Sequence, residues 1–297
     1  MDTYSYNQVV EIKKVLELIV ENEPTIRLGF FIGIFAVIVL WEGALPRRPR
    51  LYSRWRRWPS NLGIVALNTV LARLMFPVAA VGLAVVAAEN QWGLLYLLDG
   101  PLWLNVVLAV VFLDFAIYLQ HVMFHAVPLL WRLHRMHHSD QDYDVTTGAR
   151  FHPIEIILSM VIKLAVVAFL GAPPVAVIIF EIVLSTTAAF NHGNIKLPLA
   201  FDSILRLLVV TPDMHRVHHS TLVNETNSNF GFNLPWWDRL FGTYIAQPLA
   251  GHDGMIIGLD VFRRPEDQRL DKMLVQPFRP GGTPYAVNRE DQGPSQI

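Results

Sequence analysis

The chain has 297 residues, of which 53% are hydrophobic and 16% are charged, and its mean hydropathy is +0.35. Soluble globular domains carry about 25% charged residues, so this composition argues against an ordinary cytosolic enzyme. The net charge of −1 gives no reason to expect a nucleic acid partner. The 11 histidines are accompanied by no cysteine, which excludes disulfides, thiolate nucleophiles, cysteine-bound zinc and iron–sulfur clusters. Any bound metal must therefore be held by imidazole, carboxylate or amide groups.

Five apolar stretches predict membrane-spanning helices. In chain order they are residues 26–45, 62–88, 102–119, 154–170 and 175–190. A span requires about 20 apolar residues, so the first three qualify readily, whereas the last two are short and predict a tilted hairpin. Residues 1–24 are polar and acid-rich, so we expect no cleavable signal peptide. The predicted fold is all-α: a polytopic membrane helix bundle of about four or five spans with a cytoplasmic, histidine-rich helical cap.

The loops between the stretches indicate the orientation. Residues 46–57 hold six arginines and no acid, which places this loop in the cytoplasm by the positive-inside rule. Residues 89–101 contain Glu89 and Asp99 and no base, so this loop is predicted to be external. The histidines then fall on the cytoplasmic side, and we expect a multi-pass protein of a bacterial inner membrane.

We divide the chain into three regions: N-terminal membrane helices with a basic loop (1–100), a catalytic region (101–250) and a cytoplasmic tail (251–297). Residues 197–210 predict an amphipathic interfacial helix, and the paired Trp236 and Trp237 predict an interfacial anchor. Residues 263–297 are rich in proline, glycine and charge, which predicts a peripheral, partly disordered tail.

Nine histidines occur in four groups: an HxxxH, two HxxHH boxes and a single histidine in NHGN. They are His121 and His125; His134, His137 and His138; His192; and His215, His218 and His219. Positions i, i+3 and i+4 share a helix face, so each HxxHH is expected to project three imidazoles toward one point. Imidazole binds iron, zinc, copper and nickel, and nine nitrogens suit two ions.

Asp114 and Tyr118 are candidates for orienting these histidines, because they lie on the helix face of His121. We expect Asp114 to accept a hydrogen bond from a ligand histidine. Glu181 lies on the fifth stretch at a similar spacing from His192, but pairing with Arg73 or Lys163 would explain it equally well. The remaining supporting candidates are Asn194 and Asp213.

His152 is a candidate tenth ligand in RFHPIE, just before Pro153 and with Glu155 in the first turn of a helix. The alternative is a histidine that caps this helix. The preceding loop, residues 140–150, carries three aspartates. It is interpreted either as a cover for the site, as a docking place for a redox partner, or as a solvated acidic loop. His252 is interpreted as structural.

These boxes resemble those of the fatty acid hydroxylase/sterol desaturase superfamily of integral-membrane non-haem di-iron enzymes. The resemblance runs from about Asp114 to Tyr244, through DxxxYxxHxxxH, LLWRLHRMHHSDQDYDVTTGARFHPIE, FNHGN, TPDMHRVHHS and NFGFNLPWWDRLFGTY. It implies that the nine histidines bind two iron ions and that O2 is the co-substrate in oxidising a C–H bond of a lipid. Related hydroxylases can carry a further histidine near His192, where this chain has Asn194.

The chain has neither a GxGxxG dinucleotide fingerprint nor cysteines for an iron–sulfur cluster. Electrons are therefore expected from an external donor such as a ferredoxin, a cytochrome b5-like protein or a reductase, with NAD(P)H acting only indirectly. The basic loop 46–57 could dock an acidic carrier. Relatives oxidise sterols, fatty acyl chains, aminolipids, alkylglycerol ethers and carotenoids, and the sequence selects none of these. Hydroxylation is modestly favoured over desaturation.

Two other functions are compatible with many histidines. A membrane metal transporter or storage protein would place its ligands along a path through the membrane, whereas these cluster at one end of the predicted spans. A zinc hydrolase would need three protein ligands and a general base such as the glutamate of HExxH, which these boxes lack.

Overall fold

The computed structural model describes residues 14–98 and 100–281. This part of the chain is mostly helical, with two isolated bridges and no strand. After a helical stretch at residues 14–21, the helices in chain order are α1 Glu23–Ala44, α2 Arg54–Met75, α3 Ala79–Glu89, α4 Leu94–Leu97, α5 Leu102–Ala126, α6 Pro128–His138, α7 Pro153–Leu170, α8 Pro174–Asn191, α9 Leu199–Leu205, α10 Pro212–His218, α11 Val223–Thr226, α12 Trp236–Leu240, α13 Gly251–Gly254 and α14 Leu270–Val275. Single 3₁₀ turns lie at Thr147–Ala149, Pro265–Gln268 and Gln276–Phe278.

Five segments of the described residues are long and apolar enough to cross a membrane: α1, the segment from α2 to α4, α5, α7 and α8. This confirms the predicted polytopic bundle. The second segment differs from the predicted single span at 62–88, because α2 ends at Met75 and α3 begins at Ala79. Pro77 lies at the break, and a proline disfavours helical backbone at the residue before it.

The hairpin predicted at 154–190 forms as α7 and α8, each of 18 residues. Gly171 ends α7 with a left-handed φ of 62°, a conformation that glycine adopts without steric cost. This turn packs on the loop before α4, and a Cβ on Gly171 would lie 1.9 Å from the carbonyl oxygen of Trp92. The core next to the hairpin includes Ala84 and Ala176, small residues that let helices approach closely.

Glu181 is paired inside the bundle, as charged groups in membrane spans require. Its carboxylate lies 2.7 Å from Lys163 Nζ on α7 and 2.6 Å from an Arg27 guanidinium nitrogen on α1. The proposed pairing with Lys163 is confirmed, and the second partner is Arg27 rather than Arg73. These contacts bind α1 to the hairpin.

The tail beyond residue 262 is not peripheral in its described part. Arg135 of α6 donates hydrogen bonds to the carbonyl oxygens of Gln276 and Arg279, both at 2.5 Å, and Met273 is buried against Ile64 of α2. The expectation of a loose tail at 263–281 is therefore wrong, because its backbone carbonyls bind α6 and its Met273 packs against α2. The rest of that expectation, residues 282–297, lies outside the described residues, as does Asp99.

The Gly171 turn generates a stability prediction. We expect Gly171→Ala to lower the free energy of unfolding by about 1–3 kcal/mol, the usual cost of overpacking, because the added Cβ overlaps the Trp92 carbonyl. Thermal unfolding in detergent measures the effect. Gly43→Ala is the matched control, since nothing lies within 4 Å of its added Cβ. Equal melting temperatures for the two variants would contradict the packing described here.

Candidate metal centre

All nine histidines of the four boxes are buried together at one end of α5 and α8. They form two groups, and within each group the ligand atoms lie within 4.8 Å of one another. The five-histidine group contains His121, His125, His134, His138 and His218. The four-histidine group contains His137, His192, His215 and His219.

Each HxxHH box is divided between the two groups, so the expectation that its three imidazoles converge on one point is wrong. On a helix, position i+4 lies about 40° around the axis from position i, whereas i+3 lies about 60° to the other side. His134 and His138 therefore join the five-histidine group, and His137 joins the other. The box on α10 divides in the opposite sense, because His218 alone joins the five-histidine group.

Backbone carbonyls orient two ligands of the five-histidine group. His121 Nδ1 lies 2.8 Å from the carbonyl oxygen of Phe230, and His218 Nδ1 lies 2.7 Å from that of Ser228. A carbonyl can only accept a hydrogen bond, so both rings carry the proton on Nδ1. Their Nε2 atoms are left with free lone pairs.

Glu155 orients a third ligand, because its carboxylate lies 2.6 Å from His134 Nδ1. The Nε2 of His121 lies 3.1 Å from that of His134 and 3.0 Å from that of His218. Three lone pairs thus converge without a proton between them. A metal cation would resolve this arrangement, and outward hydrogen bonds of this kind are usual for metal-bound histidine.

The four-histidine group follows the same pattern. His192 Nδ1 donates to the Ala188 carbonyl at 2.9 Å, and its Nε2 lies 3.3 Å from His137 Nε2 and 3.2 Å from His215 Nε2. His219 has both ring nitrogens buried without a hydrogen-bond partner. Buried polar atoms of this kind require a partner, and a second cation would supply one.

Burial, reinforced by the neighbouring imidazoles, favours the neutral form of several histidines in the two groups. It lowers the pKa well below the ordinary histidine value at five positions: His137, His138, His215, His218 and His219. Burial also lowers the pKa of His192 to about 4. Neutral imidazole is the metal-binding form, so the site is ready for ligation at neutral pH.

The loop that carries the Ser228 and Phe230 carbonyls is held by Asp238 of α12. The Asp238 carboxylate accepts the backbone N–H groups of Phe230 and Gly231, both at 2.8 Å, and the Thr243 hydroxyl at 2.6 Å. A Cβ on Gly231 would lie 2.7 Å from this carboxylate, so glycine is required there. Sequence reasoning noted the surrounding WDxLFGTY segment but missed this role.

Asp114 and Tyr118 do not contact the histidines as expected. Asp114 accepts the indole N–H of Trp237 at 2.7 Å, and the Tyr118 hydroxyl lies 3.1 Å from that of Thr243. Both residues therefore contact α12 and the segment that follows it. Trp237 is consequently packed on α5, and only Trp236 remains exposed.

His152 caps α7 and does not join either group. Its Nδ1 accepts the backbone N–H of Ile154 at 3.2 Å, and its Nε2 lies 3.2 Å from the Leu274 carbonyl. The capping alternative is therefore confirmed. Glu155, three residues on, is the residue that reaches a ligand, and its separation from His134 by 21 positions gave no local signal.

The loop before His152 covers the four-histidine group. Its aspartates Asp140 and Asp144 are buried and bind the Arg57 guanidinium at 2.6 and 2.7 Å. The ring of Tyr143 stacks on His192, with centroids 5.6 Å apart. The expectation of a solvated acidic loop is wrong, because the basic loop 46–57 supplies the charges that neutralise these aspartates.

Asn194 and Asp213 support the backbone around the site. The Asn194 side chain bonds the backbone of Arg48 in both directions, at 3.0 and 2.9 Å. Asp213 pairs with Arg216, lies 3.3 Å from Arg47, and lies 3.6 Å from His252. His252 is thus a buried neighbour of an ion pair, which agrees with a structural role.

Glu42 was missed by sequence reasoning. It is fully buried at the end of α1 and accepts the backbone N–H groups of Val145 and Asn194 at 2.8 and 2.9 Å. It thereby joins the covering loop to the segment after His192.

The fatty acid hydroxylase family model matches residues 106–243, which contain all nine histidines. The ornithine lipid hydroxylase OlsE of Rhizobium tropici is 33% identical over 235 residues, covering 73% of this chain and 66% of that protein. The alkylglycerol monooxygenase of Homo sapiens is 30% identical over 155 residues, covering 50% of this chain and 32% of that protein. The chain belongs to the fatty acid hydroxylase/sterol desaturase superfamily.

A third relative is the cholesterol 25-hydroxylase of Rattus norvegicus, 23% identical over 48% of each chain. The matches span between 32% and 66% of the lengths of these three relatives. No solved structure matches the chain. The family and its hydroxylase and monooxygenase relatives support an oxidoreductase that acts on lipids.

The two groups generate a prediction on metal binding. His138→Ala removes a ligand with no hydrogen-bond partner of its own, so we expect bound iron per chain to fall. His152→Asn is the control, because asparagine also caps helices, and we expect it to retain the wild-type iron content. Iron analysis of the purified proteins measures the iron content per chain of both variants. Iron loss in the control alone would contradict the assignment.

The Asp238 contacts generate a second prediction. We expect Asp238→Asn to weaken metal binding at the five-histidine group by roughly 10–100-fold, the usual effect of losing a group that orients a ligand. Titration of the metal-free protein with Co²⁺, followed by visible absorption, should show one weakened site and one unchanged site. Asp253→Asn, at an exposed carboxylate, should leave both affinities unchanged. Equal weakening at both sites would contradict the selective role of Asp238.

Proposed function

We propose that this protein is an integral-membrane non-haem di-iron monooxygenase that hydroxylates a C–H bond of a lipid. The observation that carries the proposal is the division of nine buried histidines into two adjacent groups. Membership of a superfamily with lipid hydroxylase relatives supports the reaction.

Both groups fit iron, because they offer neutral imidazole lone pairs and buried nitrogens without partners. Two iron ions held there would supply the activation of O2 and the oxidation of the C–H bond. In the overall reaction one oxygen atom enters that bond, and the other leaves as water after taking up two electrons and two protons. The proposed ligands are the nine histidines.

The protein's other residues orient these ligands and shield them from water. Glu155 and the carbonyls of Ser228 and Phe230 hold the ring proton of His134, His218 and His121, respectively, on Nδ1. Tyr143 covers His192, and burial of this aromatic ring limits access of water to the four-histidine group. Exclusion of water protects a reactive centre from side reactions.

A metal transporter is a weaker candidate. The histidines lie at one end of the spans, while Glu181, deeper in the bundle, is already paired with Lys163 and Arg27. A zinc hydrolase is also weaker, because three protein ligands suffice for a catalytic zinc. Nine buried imidazoles at one end of the bundle are more than either a metal transporter or a zinc hydrolase requires there.

For the substrate, we propose a polar membrane lipid. The match to an ornithine lipid hydroxylase covers 73% of this chain, which makes aminolipids the first class to test. Alkylglycerol ethers are the second, from the match to alkylglycerol monooxygenases. The names of these relatives favour hydroxylation over desaturation.

We place the metal centre on the cytoplasmic side of a bacterial inner membrane. The arginine-rich loop 46–57 lies at the histidine end of the bundle, where Arg47 N–H donates to the Asn194 carbonyl at 3.0 Å, and such loops are cytoplasmic. With no cysteine in the chain, electrons come from an external ferredoxin, cytochrome b5-like protein or reductase, and only indirectly from NAD(P)H. Because Arg57, Arg54 and Arg47 are paired internally, this loop is a poorer docking site than its charge indicated.

The function is tested by comparing lipid extracts of cells with and without the gene, using mass spectrometry. We expect one lipid class to gain a single oxygen atom, dependent on O2. His137→Ala and His218→Ala, one from each group, should abolish this gain while the protein remains in the membrane. Asp253→Asn should oxidise lipid like the wild type.

A protein that binds iron but never consumes O2 with any lipid would contradict the proposed function. Retained oxidation in either histidine variant would contradict the ligand assignment. Loss of two hydrogens in place of oxygen gain would identify a desaturase and overturn the hydroxylation part.

A further inference from the structure

Two short segments of the cap show an inverted distribution of polar and apolar side chains. The first is residues 199–208, containing α9, and the second is residues 236–241, containing α12; we call them together the ridge. Apart from Ser203, the large outward side chains of the first segment are apolar: Leu199, Phe201, Ile204, Leu207 and Leu208. Leu199 is 71% exposed, whereas Asp202 and Arg206 are 3% and 5% exposed and form an ion pair beneath it. A segment facing water would expose the charges and bury the leucines.

The remaining polar groups of the first segment are also satisfied internally. The Ser203 hydroxyl donates to the Ala200 carbonyl at 2.8 Å, and the Arg206 guanidinium donates to the Ala246 carbonyl at 2.9 Å. Internal satisfaction of hydroxyl and guanidinium groups is required where no water is available.

The second segment extends the same surface. Trp236, Leu240 and Phe241 are exposed, and the Trp236 indole N–H donates to the Leu207 carbonyl at 2.8 Å. Arg239 is the one exposed charge of the ridge. Its guanidinium bonds the Arg206 carbonyl at 3.3 Å and stacks on the Tyr244 ring at 4.2 Å.

The ridge is continuous with a membrane span at an unexpected depth. Trp237 donates to Asp114, which lies close to the midpoint of the 25-residue helix α5. Asp114 precedes His121 by seven residues, a distance of about 10 Å along the helix axis. Phe115 of α5 also contacts the rings of Trp237 and Phe241, with centroids 4.8 and 5.9 Å apart.

We propose that the ridge is a re-entrant surface inserted into the hydrocarbon of the leaflet on the histidine side. Its partner is the acyl chains of the surrounding lipids, because its outward face is apolar and its polar groups are bonded inward. It joins the lipid-facing surface of α5 below the level of His121. The cap is therefore partly immersed, and this conclusion does not depend on the reaction proposed above.

Immersion of the ridge gives a lipid substrate a short route to the metals. Asp238 lies in the ridge helix α12 and holds the loop that orients His121 and His218. Only the loop held by Asp238 then separates the acyl region of the leaflet from the five-histidine group. This consequence rests on the proposed function, whereas the insertion itself does not.

Site-directed spin labelling tests the insertion, and the absence of cysteine removes any background. Ile204→Cys and Leu240→Cys are labelled one at a time in the full chain and reconstituted into phosphatidylcholine nanodiscs. Collision rates with O2 and with a water-soluble nickel chelate are then compared by electron paramagnetic resonance. The matched control is Asp253→Cys, whose native side chain is 79% exposed. Wild-type metal content in each variant shows that the cap is folded. If either ridge variant fails this check, Leu199→Cys takes its place.

We expect O2 collisions to exceed nickel collisions at the ridge positions and the reverse order at position 253. Nickel accessibility at positions 204 and 240 equal to that at position 253 would overturn the proposal. Spin–spin broadening between copies would assign the ridge to self-association and would also overturn it. Failure of the lipid oxidation assay alone would leave these collision rates unchanged and so tests only the proposed function.

Discussion

The structure depends on hydrogen bonds that fix the proton of metal-facing imidazoles on the outward ring nitrogen. Carbonyl and carboxylate acceptors around His121, His134, His192 and His218 leave the inward nitrogens as lone pairs. Such a centre is unfavourable when empty, since converging lone pairs repel one another and cannot hydrogen-bond. The surrounding polypeptide must therefore hold these rings in place, and contacts such as that of Glu155 with His134 serve this requirement.

A buried polar network explains how a chain with few charges uses so many of them away from water. Arg57 with Asp140 and Asp144 joins α2 to the covering loop, and Glu42 joins α1 to the same loop. Removing one partner from a buried pair is costly, so these contacts specify one arrangement of the cap. The membrane spans supply the frame, and the buried ion pairs set the position of the loops on it.

The sequence was sufficient to predict the spans and the nine histidines, because both have short-range signatures. Apolar length identifies a helix such as α5, and HxxHH is visible within five residues. It was not sufficient to predict partners across long separations, such as Glu155 with His134 or Asp114 with Trp237. Those pairings depend on how helices pack, which local periodicity does not encode. The solvated acidic loop was wrong because charge composition does not show where a counter-charge lies. The loose tail was wrong because composition does not show which backbone groups a distant helix binds.

The opposite division of the two HxxHH boxes has a consequence for how the centre is assembled. Helices α6 and α10 each contribute ligands to both groups, so neither group can be rearranged without moving a helix that serves the other. A substitution that displaced α6 or α10 would therefore disturb both groups together, whereas one confined to a loop beside a single group would disturb that group alone.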